Sequence, residues 1–294
     1  MATNQDQAAR IYVPQYRNIL STVFNAKAAF RGALAPLQTL DGIQNNAKAF
    51  SVKTNATPVV IGDDYLTGAN DGGFGNATGK KSRFGDLTEV IYQDTDVNYD
   101  YELTIHEGID RYTVNNDLNA ALADRFNLQS IAQTRKVNVR TGKFLSENAG
   151  HTETLADFTE TNVKALFNKI DTYYTDLEVD AQVTVYLKSE LYNAIVNMAS
   201  NTSAKGSSVS LDTNGLLKYK DFILEKTASK YFQTGDLAIF SPNGIVIPFI
   251  GISTARTIET EDFDGVKLQA AAKGGTYALD DNKKAIVKVT STEM

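Results

Sequence analysis

The chain contains no cysteine. Disulfides and thiolate metal sites are therefore excluded, and the fold must hold by packing and hydrogen bonding. There is no tryptophan either, and the only histidines are His106 and His151. They show none of the close spacing of paired metal ligands. Five prolines in 294 residues leave room for long uninterrupted elements. No apolar run approaches about 18 residues, so no membrane-spanning helix is expected. Residues 1–10 are polar and lack the apolar stretch of a secretory signal, so synthesis in the cytosol is expected. An excess of positive charge is missing as well. Net charge is -6 and the pI is about 5.1. That argues against a broadly basic nucleic-acid surface and leaves room for one local basic patch.

What is present reads as a folded protein of mixed α+β class. A length of 294 residues suffices for two domains, or for one with large insertions. Fourteen tyrosines and fourteen phenylalanines suit extended structure and interfaces. The longest periodic stretch is residues 115–150. Asn115 and Asn116 offer an N-cap, and Asp117 puts negative charge on the first turn. Leu118, Leu122 and Phe126 follow at i+4 steps and form the expected buried row. Ala121, Leu128, Ile131, Ala132 and Val139 make a second row. Arg135, Lys136, Arg140 and Lys143 gather toward the far end, where cations suit the helix dipole. Gly150 is the expected residue after the C-cap. About 30 helical residues span roughly 45 Å, a spine longer than a small core needs. Gly142 is its weak point, where the helix is expected to end or kink.

Before the spine, residues 16–31 fit a helix carrying Ile19, Leu20, Val23 and Phe24, able to pack on its own core or on a neighbour. Residues 48–61 read as a strand, as do 90–92 and 97–105. Between them lie Gly68, Gly72, Gly73, Gly75 and Gly79, then Lys80, Lys81, Ser82 and Arg83. Two extended arms flanking a glycine-rich basic tip make a long β-hairpin. A tip of that length is unusual in a compact domain unless it has a task. After the spine, Thr159 or Thr161 caps a helix through Val163, Phe167, Ile170 and Tyr174. Residues 179–187 form a strand, Ser189 caps a short helix, and 200–210 make a polar surface loop. Strands follow at 222–225, 237–240 and 245–250. The turn Ser241-Pro242-Asn243-Gly244 suggests a hairpin, and Pro248 suggests an edge strand. A closing antiparallel set is expected at 254–259, 266–272, 276–279 and 285–289, with the last turn at Asp280-Asp281-Asn282.

Motifs that carry chemistry fail on inspection. Gly79-Lys80-Lys81-Ser82 lacks the first glycine of a phosphate loop, since Phe74 stands there, and Lys81 replaces the required hydroxyl residue. Gly73 and Gly75 open a dinucleotide pattern that Thr78 breaks. Asp94, Asp96 and Asn98 open like a calcium loop, but Tyr99 and Ile105 take the glycine and glutamate places. No Gly-x-Ser-x-Gly elbow occurs. No catalytic residue, cofactor or metal is expected.

The order of elements and the local text resemble the major capsid proteins of tailed bacteriophages, of the Hong Kong ninety-seven-type shell fold, as found in phages of Gram-positive bacteria. The residues carrying the resemblance are Ser82-Arg83-Phe84-Gly85, Glu89-Val90-Ile91-Tyr92, Val97, Tyr99 and the run Glu107-Gly108-Ile109-Asp110-Arg111-Tyr112-Thr113-Val114-Asn115. Near the end come Phe263-Asp264-Gly265-Val266-Lys267-Leu268-Gln269 and Asp281-Asn282-Lys283-Lys284-Ala285-Ile286.

By that resemblance, residues 1–49 are an N-terminal arm and 50–100 an extended β-hairpin E-loop. Residues 101–180 and 255–294 are the P domain with the spine helix, and 181–254 the α/β A domain. The implied function is self-assembly, as hexamers and pentamers, into an icosahedral shell enclosing viral double-stranded DNA bound without sequence specificity. A separate scaffolding protein and a portal are implied partners. The implied place is the virion, assembled in the host bacterial cytoplasm. The tip residues Lys80, Lys81, Arg83 and Phe84 are expected at inter-subunit contacts, with Glu259, Glu261, Asp262 and Asp264 as an acidic partner patch. Some members staple subunits with a Lys–Asn isopeptide bond. Here no Asn stands in 259–265, so none is expected. An encapsulin-like nanocompartment shell is the alternative reading.

Overall fold

The computed structural model describes residues 27–40, 48–55, 57–63, 65, 84, 87–114, 117–198, 210–212 and 215–292. The chain divides into two units, residues 44–99 and the remainder.

Residues 1–26 lie outside the described residues, and 27–31 are not helical. The described part of this segment packs on its own core. Phe30 is fully buried with φ of 61°, a value bulky residues adopt only where packing holds them. Its ring meets Tyr186 at 4.9 Å and Phe232 at 5.8 Å. Leu34 bridges to Val246, and β1 (Gln38–Thr39) pairs in parallel with Phe249 and Ile250.

Within 44–99, β2 (Lys48–Thr54) and β3 (Gln93–Asn98) run antiparallel, from Lys48 opposite Asn98 to Thr54 opposite Gln93. Asp94 and Asp96 face cross-strand partners: Lys53 reaches Asp94 at 2.9 Å and Lys48 reaches Asp96 at 2.6 Å. The arms are shorter than expected. Residues 57–61 and 87–92 join no strand, and Pro58, lacking an N–H, cannot extend the ladder as a donor.

In the larger unit, β4 (Tyr101–Asp110) precedes α1 (Leu118–Glu147). The cap is Asp117, whose carboxylate accepts from Ala120 N at 3.1 Å. Asn115 and Asn116 lie outside the described residues. The helix runs unbroken through Gly142 and ends at Asn148, whose N–H and side-chain amide both donate to Phe144 O. Gly150 is not the capping glycine. A Cβ there would lie 2.6 Å from Lys284 Cα, so close backbone approach explains it.

Next come β5 (His151–Leu155), α2 (Glu160–Asp176), β6 (Val183–Lys188) and α3 (Ser189–Val196). Residues 199–209 lie outside the described residues. Then follow β7 (Ser210–Asp212), β8 (Gly215–Tyr219), β9 (Phe222–Thr227) and a 3-10 turn, Ser229–Tyr231. The chain closes with β10 (Asp236–Pro242), β11 (Ile247–Glu259), β12 (Gly265–Tyr277), α4 (Asp280–Lys284) and β13 (Val287–Ser291). One sheet has the order β5-β13-β10-β6-β9-β8-β7, and a second β1-β11-β12-β4.

Several expectations change here. Residues 245–250 and 254–259 join into one strand through a register shift between Ile250 and Ile252. β1 flanks β11 beside Pro248, so that stretch is not an edge. Gly244, with φ of 74°, turns the chain from one sheet into the other instead of closing a hairpin. Residues 280–284 form a helix with Asp280 and Asp281 in its first turn and Lys283 and Lys284 in its last, matching the dipole.

The seven-stranded sheet carries a core on each face. Val185, Leu187 and Phe240 meet α2 and α3 through Phe167, Ile170, Leu191 and Ile195. The alternate residues Tyr186 and Ile239 face Phe30, Leu145, Phe232 and Ile286. The sequence boundary at 180/181 lies between α2 and β6, which share the first core, and that at 254/255 lies inside β11.

Candidate assembly surfaces

α1 meets its surroundings differently along its length. Its buried residues are Ile131, Asn138, Thr141, Gly142, Leu145 and Ser146. The expected buried row is corrected: Leu118 and Leu122 are half-buried, and Phe126 is 49 % exposed. Leu128 and Val139 are exposed as well. The reason is geometric. Only the second half of the helix reaches the core around Phe30 and Tyr231, while the first half lies over the smaller sheet. Nor do cations fill the last turn. Arg140 sits over the Tyr101 ring at 4.1 Å, and Lys143 pairs with Glu147 at 3.6 Å.

A charged clamp ties the first half of α1 to β4. The Arg125 guanidinium donates to both carboxylate oxygens of Glu107 at 2.5 Å, and Gln129 adds a bond at 2.6 Å. Hydrogen bonding from Arg125 holds the Glu107 carboxyl below its usual range. Ile105, Gln129 and Gln133 border open grooves on both flanks of the helix, of about 380 Å³ and 300 Å³. Phe126 lines the second.

Of the expected tip residues, Lys80, Lys81 and Arg83 lie outside the described residues. Phe84 is 83 % exposed, its ring 5.2 Å from Tyr65. In the acidic turn between β11 and β12, Asp262 accepts from Lys267 at 2.6 Å, and Asp264 lies 3.4 Å from Arg111. Glu259 and Glu261 are exposed. The Phe263 ring lies over Gly108 and Gly265, where a Cβ would approach it to 2.6 Å and 2.9 Å. Gly108 within β4 and Gly265 at the start of β12 thus make room for an aromatic lid on the sheet.

Sequence reasoning missed an exposed apolar feature. Val59, Val60, Ile61, Leu87, Val90, Ile91 and Tyr92 are all exposed, although 59–61 and 90–92 read as strands in sequence. The glycine-rich run between them was the usable signal, because it supplies no partner to bury them. Sequence reasoning also missed Asn138, buried on the row of Ile131 and Leu145. Its Oδ1 accepts from Ala29 N and its Nδ2 donates to Lys27 O, both at 2.9 Å.

No family model and no curated protein matches the sequence. Solved structures do match, nearly end to end. The mature capsid of bacteriophage PhiM1 is similar with a TM-score of 0.64 at 10 % identity, over 92 % of this chain and 89 % of that one. The fold is that of the phage capsid shell. The capsid of cyanophage P-SCSP1u is similar with a TM-score of 0.59 at 11 % identity, covering 94 % and 95 %. The capsid of a native GTA particle gives 0.57 at 12 % identity, covering 92 % and 91 %. These neighbours are structural capsid proteins. At such identities the shell fold rests on the order of elements rather than on shared side chains.

Proposed function

We propose that this protein is a phage shell subunit that self-assembles, as hexamers and pentamers, into an icosahedral capsid around double-stranded DNA. The observation that carries the reading is the exposed apolar surface of residues 57–61 and 87–92, on a chain whose fold is that of capsid subunits. Large contiguous apolar surface on a soluble chain marks an interaction site. In a shell, many modest interfaces add through multivalency.

In this reading, 50–100 is the E-loop reaching a neighbouring subunit, with 1–49 as N-terminal arm. The P domain is 101–180 with 255–294, and the A domain 181–254. Lys80, Lys81, Arg83 and Phe84 contact that neighbour. Asp262 and Asp264 are already paired within the chain, which leaves Glu259 and Glu261 to offer charge. A separate scaffolding protein and a portal complete the assembly, which takes place in the host cytoplasm and ends in the virion. Packaged DNA is held without sequence specificity.

Electron microscopy of the purified protein, alone and with its phage's other head proteins, tests this. Large closed shells are expected. Small shells filled with a cargo protein point to the nanocompartment alternative, and discrete small oligomers overturn both.

A further inference from the structure

The two faces of the seven-stranded sheet are covered by layers of opposite charge. On one face, residues 157–181 and α3 carry seven carboxylates and two lysines. Asp157, Asp176, Glu178, Asp180 and Glu190 are exposed. Asp171, Glu178, Asp180 and Asp221 line a 610 Å³ depression at the end of α2. On the other face, residues 27–40, 133–147 and 229–231 carry seven cations and one carboxylate. The excess is the reverse of the chain's net charge of -6.

These cations gather where three elements meet. Asn138 bonds to Lys27 O and Ala29 N, Gly142 lies against the Tyr231 carbonyl, and the Phe30 ring meets Phe232. Arg135 and Lys136 stand within one helical turn of Asn138. Lys143 follows Gly142, Arg31 follows Phe30, and Lys230 precedes Tyr231. These five and Lys27 are all exposed. Glu147 pairs with Lys143 at 3.6 Å, and the half-buried Glu225 offsets Lys27. Positive charge remains in excess. Of the six cations, Lys136 alone borders a groove beside α1. The surface therefore offers charge with little concavity, which suits a smooth partner of uniform negative charge. From Arg135 to Lys143 the helix runs about 12 Å. Over that length duplex DNA carries about seven phosphate charges.

We propose that this basic face binds the phosphate backbone of duplex DNA, with Arg31, Lys136 and Lys230 among its contacts. The acidic α2 face is then turned away from the duplex. The choice of DNA as the polyanion rests on the shell reading. Binding is salt-dependent and indifferent to sequence, because phosphates carry charge but no sequence information.

Fluorescence anisotropy of short labelled duplexes with the free full-length subunit, across a salt series, tests this. The triple variant Arg31→Gln, Lys136→Gln, Lys230→Gln removes three exposed charges and keeps Phe30, Asn138 and Gly142, so it should fold. The slope of log affinity against log salt is expected to fall by about 1 for each cation removed. Affinity at about 50 mM salt should drop at least roughly tenfold. Lys164→Gln, on the acidic face, should change neither. An unchanged slope in the triple variant, or an equal loss in Lys164→Gln, overturns the surface. Tighter binding of poly-glutamate than of duplex overturns it too, and assigns the face to an acidic protein. Particles that form from subunits without duplex binding overturn this proposal and leave the shell reading standing. Duplex binding of the expected slope without particles overturns the shell reading alone.

Discussion

Gly142 brings α1 so close to the 3-10 turn that a Cβ on it would stand 2.0 Å from the Tyr231 carbonyl oxygen. In an exposed helix, Gly→Ala gains about 1 kcal/mol. Here the obstacle is backbone on both sides, which cannot swing away. Gly142→Ala is expected to destabilise the free subunit by about 3 kcal/mol. Denaturant unfolding monitored by circular dichroism reads the sign directly, and a gain in stability would refute the contact.

Asn138 fastens residues 27–29 to α1 through two bonds from one buried amide. Asn138→Leu leaves the Ala29 N–H and the Lys27 carbonyl without those partners. A loss of about 1–3 kcal/mol is expected. Limited proteolysis should show new cleavage near 27–33 before the rest of the chain is cut.

Glu153 is buried between the His151 ring, at 2.7 Å, and the Lys169 ammonium, at 2.6 Å. Burial alone would raise its pKa, but the hydrogen bonds from Lys169 and His151 outweigh it and lower the value. A carboxylate with a lowered folded pKa contributes stability above its unfolded pKa of about 4.3, and loses that contribution as pH falls through the folded value. The wild type should therefore exceed Glu153→Gln in stability near neutral pH, and the gap should close below about pH 4. Melting curves of both proteins across that range check this. A constant gap would show that the charge is not the cause.

Phe126, being half exposed beside an open groove, should tolerate truncation better than a core residue. Phe126→Ala is expected to cost about 1–2 kcal/mol in the free subunit, against about 3–5 for a fully buried phenylalanine. A larger loss by equilibrium unfolding would place the ring in a closed core.

Particles boiled in denaturant should run as a single band near the 32.1 kDa chain mass, because residues 259–265 offer no Asn to Lys80 or Lys81. A ladder of multimers on a denaturing gel would reveal an isopeptide staple placed elsewhere.

The sequence by itself determined several of the elements. The spine, the hairpin arm at β2 and the buried strand β6 are legible because a period of 3.6 or 2, or an unbroken apolar run, survives in one dimension. The absence of cysteine excluded its chemistry outright. Only the tertiary structure decided which faces are covered. Phe126 and Val139 fit an apolar helix row as well as Leu145 does, yet burial depends on how far α1 overlaps the core, and periodicity carries no record of overlap. Gly142 looked like a weakness and is a contact, since the Tyr231 backbone lies 89 residues away in sequence and against it in space. Glu107 and Arg125 gave no local signal, because a bidentate ion pair is made by the angle at which helix and strand cross. That β4 pairs with β12 alone among the described residues is a property of sheet order, which follows from long-range pairing and cannot be read along the chain.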